Sequence, residues 1–230
     1  MTYPKPKFND KNHSYYIDKE RLLSPTGIIS ILDKSGPLMY WAVGCCIQYL
    51  KDNPNDWVGA RKEWRNIRDH AANIGTMVHN YAEQFAIAMV NGKEFPELPS
   101  NTNALQGVNA FVDWYRENKI KFIEAEKIVY SKKYNYAGTL DGIIEFNGKL
   151  TLLDYKTSKG VYDTFYYQLA AYLFAYEEET GNKIEQIMLV RFDKETGKYE
   201  VHEEIPIDDV RGKYFEIFKG LLNVKRLLKK

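Results

Sequence analysis

The sequence predicts a mixed α/β fold of the α+β kind, with a small mixed β-sheet flanked by helices and a helical N-terminal part. Three observations predict it. Helical periodicity dominates up to about residue 118. Three segments rich in β-branched and aromatic residues follow, 122–131, 136–146 and 149–156, the last two joined by Asn147-Gly148, a type I′ hairpin signal. One long helical pattern then separates these strands from two more, and a helix closes the chain.

The elements follow in order. Tyr15-Tyr16-Ile17, a turn at Asp18-Lys19-Glu20, and Leu22-Leu23 read as a small hairpin. Ser24-Pro25 reads as an N-cap with Pro at the first helical position, opening a short helix over about 26–32. A second helix starts near Pro37 and aligns Leu38, Trp41, Cys45 and Leu50. Residues 57–70 are helical again, and Arg61, Arg65 and Arg68 at i, i+4 and i+7 share one face. Such a row suits either solvent or a line of phosphates. Gly75 is expected to break this helix, with a new one over 76–90 ended by Asn91-Gly92. A Pro-containing loop and a helix over about 104–118 precede the strands. After them come a helix over 162–179 stopped near Gly181, strands over 185–192 and 199–205 around Thr196-Gly197, and a C-terminal helix from about Asp208. Its basic last turn, Lys225, Arg226, Lys229 and Lys230, complements the helix dipole. Nothing reads as a linker, so one domain is expected over 1–230, divided into an N-terminal part (1–70), a core (71–205) and a closing helix (206–230).

Composition narrows the function. The 230 residues carry a net charge of +1, which argues against a binder held by bulk positive charge, though a basic cleft suffices for a nucleic-acid enzyme. Eighteen tyrosines can line a wet groove or stack on bases. Two adjacent cysteines, Cys45 and Cys46, exclude a disulfide framework and a four-cysteine iron–sulfur or zinc site. No apolar leader or membrane-length run is found, and a cytoplasmic, reducing setting, in a bacterium or a phage-infected cell, is expected.

The hairpin places the chemistry. If Asn147-Gly148 is a two-residue loop, Phe146 faces Lys149 and Asp141 faces Asp154, with Cβ atoms roughly 5 Å apart. Lys156 leaves the same face as Asp154. Two opposed carboxylates repel unless a divalent cation offsets the repulsion, and oxygen ligands suit Mg²⁺. Lys156 can orient an attacking water and stabilise charge on a phosphate. Ile143 opposite Leu152 on that face is expected to be buried, unlike a solvated cluster. Gly138 and Gly142 suggest close approach by another group. Gln168 and Tyr172 lie one turn apart on the next helix, beside a stripe of Phe165, Leu169, Leu173 and Tyr176. His79 sits one turn after Gly75, with Glu83 one turn later.

The segments Tyr136-Ala137-Gly138-Thr139-Leu140-Asp141-Gly142, Leu153-Asp154-Tyr155-Lys156-Thr157-Ser158 and Tyr167-Gln168-Leu169-Ala170-Ala171-Tyr172, in this order, resemble the PD-(D/E)XK nuclease superfamily in its RecB-like branch. Gly75-Thr76-Met77-Val78-His79 resembles the upstream helix motif of that branch. Tyr15-Tyr16, Ser24-Pro25-Thr26-Gly27-Ile28-Ile29 and Trp41-Ala42 are similar to the opening segment of phage exonucleases and mitochondrial genome maintenance exonucleases, although Ser-Pro-Thr replaces their usual Ser-Val-Thr. The resemblance implies a restriction-endonuclease-like core. It implies Asp141, Asp154, His79 and the Tyr155 carbonyl as ligands of Mg²⁺ or Mn²⁺, Lys156 as the catalytic lysine, and Gln168 and Tyr172 as residues that position the phosphate or that lysine. Glu126, read at the start of a strand, is given a supporting role. Ser24, Thr26, Thr157, Ser158, Arg61, Arg65 and Arg68 are the candidate nucleic-acid contacts. The cluster-binding cysteines of some relatives are absent, so no iron–sulfur cluster is implied.

The expectation is therefore a Mg²⁺-dependent deoxyribonuclease, an exonuclease on single-stranded DNA or DNA ends in replication, recombination or repair. A structure-specific endonuclease, or a non-catalytic DNA-binding module of the same fold, is the alternative.

Overall fold

The computed structural model describes residues 3–228, so the predicted basic residues Lys229 and Lys230 lie outside it. The chain opens as a three-stranded antiparallel sheet, β1 (Lys7–Asn9), β2 (Ser14–Ile17) and β3 (Glu20–Arg21). The turn is only Asp18-Lys19, both at positive φ, which fits a two-residue type I′ loop. The second arm is thus Glu20–Arg21, not Leu22-Leu23, and β1 was not foreseen because three half-polar residues carry no usable period. Ser24 caps α1 (Pro25–Ile29) by accepting from Gly27 N, with Pro25 in the first turn as expected.

Two long helices follow, α2 (Ser35–Asp52) and α3 (Trp57–Asn91). Gly75 does not break α3; the two predicted helices are one of 35 residues. A single glycine costs a helix only about 1 kcal/mol relative to Ala, which packing overrides. Its lack of a side chain is used instead: a Cβ there would lie 2.6 Å from Thr157 Oγ1. Gly92 at φ 63° ends the helix. Helix α4 (Thr102–Glu117) leads into the main sheet.

That sheet has five strands in chain order: β4 (Lys121–Ser131), β5 (Tyr136–Phe146), β6 (Lys149–Lys156), β7 (Gln186–Phe192) and β8 (Tyr199–His202). Only β6 and β7 are parallel, because α5 (Asp163–Thr180) crosses over between them. The chain ends with a short helix α6 (Ile207–Asp209), a turn of π-helix over Val210–Tyr214, and α7 (Phe215–Leu228). The π turn is a departure from the plain helix expected there.

The sheet is packed on both faces. Val78, Phe85, Phe111 and Trp114 of α3 and α4 bury Leu153, Tyr155, Val190 and Phe192. On the other face Leu169, Leu173 and Tyr176 of α5, with Phe215 and Phe218 of α7, bury Ile143, Leu152, Ile187 and Leu189. No helix among the described residues is long and apolar enough to cross a membrane.

Candidate metal centre

Asn147 and Gly148, at φ 51° and 75°, make the type I′ turn, and Phe146 faces Lys149. The register then holds without a bulge through Gly142 facing Leu153, where the β5–β6 ladder ends. The next facing residues are Asp141 and Asp154. Here the strands exchange no ladder bond; the Asp141 carboxylate accepts from Tyr155 N at 2.7 Å instead. Both aspartates are buried, 8% and 1% exposed, next to the Ile143 and Leu152 pair that lies under α5.

Three further side chains close on this pair. His79 of α3 brings Nε2 to 3.4 Å from Asp141 Oδ2. Lys156 of β6 brings Nζ to 2.5 Å from Asp154 Oδ2 and lies over the Phe165 ring. Lys156 Nζ also reaches Gln168 Oε1 at 3.5 Å. The Gln168 amide donates in turn to Tyr172 Oη at 2.8 Å and Thr26 Oγ1 at 3.4 Å, which ties α1 to the site. Gly138 permits this: a Cβ there would meet Tyr172 Cε1 at 2.6 Å and Pro25 Cδ at 3.0 Å. Gly142 has no such reason, since its Cβ would make ordinary contacts, so the expected close approach holds for one glycine of the two.

Glu126 is better placed than its sequence context suggested. It lies in the middle of β4, not at its start, between Ala125 (facing Gly142) and Lys127 (facing Leu140), hence opposite Asp141. Its φ is 48°, a conformation that costs a non-glycine residue on the order of 1–3 kcal/mol and that clusters at functional sites. Its Oε1 is buried with no hydrogen-bond partner.

The electrostatics follow from this crowding. Burial raises the Glu126 carboxyl to about 8, helped by the charges of Asp141 and Glu83. Burial would lower His79, but its hydrogen bond to Asp141 and the surrounding acids raise it to about 9. Burial works against the Asp141 charge, and His79, Lys156 and the Tyr155 N–H outweigh it and lower its pKa. Burial raises Asp154 against the pull of Lys156.

These groups fit a divalent cation. Glu126 Oε1 is a buried acceptor with no hydrogen-bond partner, a state that normally costs about 1–3 kcal/mol, and the buried Asp154 carboxylate has the Lys156 ammonium as its close charge partner. Carboxylate oxygens with one imidazole suit Mg²⁺ or Mn²⁺, which keep several waters and need few protein ligands. As placed, no three His, Cys, Asp or Glu side chains among the described residues stand together in metal-holding geometry. His79 is turned onto Asp141 and Lys156 onto Asp154, so loading requires these contacts to open.

The other predicted residues divide. Thr157 and Ser158 line a 580 Å³ groove beside His79 and Lys156. Arg61, Arg65 and Arg68 are exposed farther along α3. Ser24 spends its hydroxyl on the cap of α1. Sequence reasoning missed Lys159 and Lys194, which line the same groove, and Arg191, which pairs with Glu200 and Asp193 and donates to Ser158 O. No protein-family model matches this chain, and no curated protein matches it in sequence.

Proposed function

We propose that this chain is a divalent-metal-dependent DNA nuclease, and more narrowly an exonuclease acting on single-stranded DNA or DNA ends in replication, recombination or repair. The observation that carries the reading is the buried carboxylate cluster: Asp154 facing Asp141 with Lys156 Nζ at 2.5 Å, beside Glu126, whose Oε1 has no hydrogen-bond partner. Asp141, Asp154 and His79, with the Tyr155 carbonyl, would hold Mg²⁺ or Mn²⁺. Once bound, the cation supplies positive charge to the scissile phosphate and lowers the pKa of a water.

The chain's own groups do the rest. Lys156 presents an ammonium to charge developing on the phosphate. Gln168, braced by Tyr172 and Thr26, limits where that ammonium can stand. Thr157 offers its hydroxyl to phosphate oxygens along the groove, whereas Ser158 Oγ donates to Gly160 O and would have to leave it to do the same. Narrowing to an exonuclease rests on the resemblance of residues 15–42, and two unpaired neighbouring cysteines accord with a reducing cytoplasm.

The test is digestion of end-labelled linear and circular single-stranded DNA in Mg²⁺, with a chelated control and a Lys156→Ala variant. Linear strands are degraded, circles survive, chelation stops the reaction, and Lys156→Ala loses about 10²–10³ in rate. Cut circles would overturn the exonuclease assignment. Equal digestion by Lys156→Ala would overturn the catalytic one.

A further inference from the structure

Because α3 is one uninterrupted helix, its N-terminal arginines and His79 share one face. At 3.6 residues per turn, Arg61 stands five whole turns from His79, and Arg68, Ala72 and Gly75 fall within about 40° of the same line. Two cavities open on this face. The first, the 580 Å³ groove at the metal centre, is lined by Ala71, Ala72 and Gly75 of α3, by Lys194, whose Nζ donates to Ala71 O, and by Lys159. The second, of 490 Å³, lies between α3 and α2, where Arg61, Lys62 and Arg65 meet Trp64, Met39 and Val43. Between them stands Arg68.

Both cavities carry the chemistry of a single nucleic-acid strand. Ala72, small and exposed, lets a backbone lie close to the helix there, and cations follow at spacings of about 4.5 and 6 Å along it. Arg65 and Arg68 both place their guanidinium carbons 5.1 Å from the Trp64 ring centre, which pre-orients them. Arg61, Lys62 and Arg65 enter no ion pair among the described residues, whereas Arg68 is engaged by Asp69 and Lys159 loosely by Glu195. Helix α2 has no buried residue, and Leu38, Met39, Val43 and Ile47 stay exposed. Apolar surface beside unpaired cations suits unstacked bases with their phosphates, and a duplex has no free base faces to offer it.

We propose that a single strand runs along α3 from the metal centre to the α2–α3 cavity, with Lys159 and Lys194 gripping its phosphates at the centre and Arg61, Arg65 and Trp64 at the far end. This rests on the nuclease reading for its direction, not for its binding. The span from Arg61 to His79 is roughly 27 Å, about eight nucleotides at a stacked rise of about 3.4 Å and fewer if extended.

Fluorescence anisotropy of a labelled oligothymidylate of about 20 nucleotides, in EDTA and over a salt series, tests it without catalysis. The Arg61→Glu/Arg65→Glu variant binds about tenfold or more weakly, with a salt slope shallower by about 1.4. Lys159→Glu, at a side chain 84% exposed, weakens binding likewise. Lys194→Met weakens it too, and Lys159→Glu guards against loss of the Lys194–Ala71 bond as the cause. Trp64→Ala weakens binding at least about fivefold with the slope little changed. Wild-type affinity and slope in these variants would overturn the track, and tighter binding of a duplex of equal length would overturn its single-strand assignment. If binding behaves as expected while Mg²⁺ elicits no digestion, the nuclease reading falls and the track stands. If digestion proceeds while the variants bind normally, the reverse holds.

Discussion

At the scale of single residues, the site is held in tension by groups that a cation would relieve. Asp154 buries a carboxylate that Lys156 faces, and Glu126 buries an oxygen with no donor, in a strained backbone conformation. Binding to the folded state alone stabilises it by mass action, so Mg²⁺ at about 100 times its Kd adds about 2.7 kcal/mol. Thermal melts should therefore shift upward as Mg²⁺ is titrated, and Asp154→Asn should lose most of the shift. A variant that keeps the full shift would remove Asp154 from the ligand set. Glu126→Gln tests the unpartnered oxygen. The amide keeps the shape and removes the ionisation that burial, with Asp141 and Glu83, opposes. Its metal-free melting temperature should rise, by what about 1 kcal/mol produces, while the Mg²⁺-induced shift shrinks. A fall in both would mean that the carboxyl is needed for packing alone.

At the scale of elements, two glycines make opposite demands. A methyl at Gly138 meets the Tyr172 ring and the fixed Pro25 ring, which pins α5 and α1 against β5. Neither can yield without moving its helix, so Gly138→Ala should cost about 1–3 kcal/mol in urea unfolding. A methyl at Gly75 meets the end of the Thr157 side chain, which can rotate away, and the helix gains about 1 kcal/mol in propensity. Gly75→Ala should hence change stability by less than about 1 kcal/mol. Equal losses in the two variants would refute this account of the contacts. The same pair shows what was legible in the sequence. The Asn147-Gly148 turn demands positive φ at both residues, so one dipeptide set the β5–β6 register and with it the meeting of Asp141, Asp154 and Lys156. Gly75 offered only a local propensity, and its real partner lies 82 positions away on another element. Glu126 was undervalued for a like reason. Nothing local pairs it with Asp141: the β4–β5 register is set where Ser131 faces Tyr136, and the intervening Lys132-Lys133-Tyr134-Asn135 carries no two-residue turn signal.

At the scale of the whole molecule, the C-terminal segment is clasped to the crossover that frames the site. Glu177, near the end of α5, accepts from Arg211 of the π turn at 2.6 Å, from Lys183 at 3.0 Å and from Ile184 N at 2.9 Å. Arg211 also donates to Ile184 O. One carboxylate thus joins α5, the approach to β7 and the lead into α7. Burial favours its neutral form, but these donors outweigh burial and hold its pKa below the ordinary glutamate value. The sign of the linkage follows. A depressed folded-state pKa contributes stability above the unfolded value of about 4.3, and this is lost as pH falls through the folded one. The partners are partly exposed, so after solvent screening the contribution is about 1–2 kcal/mol. The difference in unfolding free energy between wild type and Glu177→Gln should be about that size near pH 7, shrink below about pH 4, and vanish once both forms are neutral. A difference that persists unchanged into acid would assign the loss to packing, because Gln keeps the shape and an acceptor for Ile184 N but not the charge that draws Arg211 onto α5.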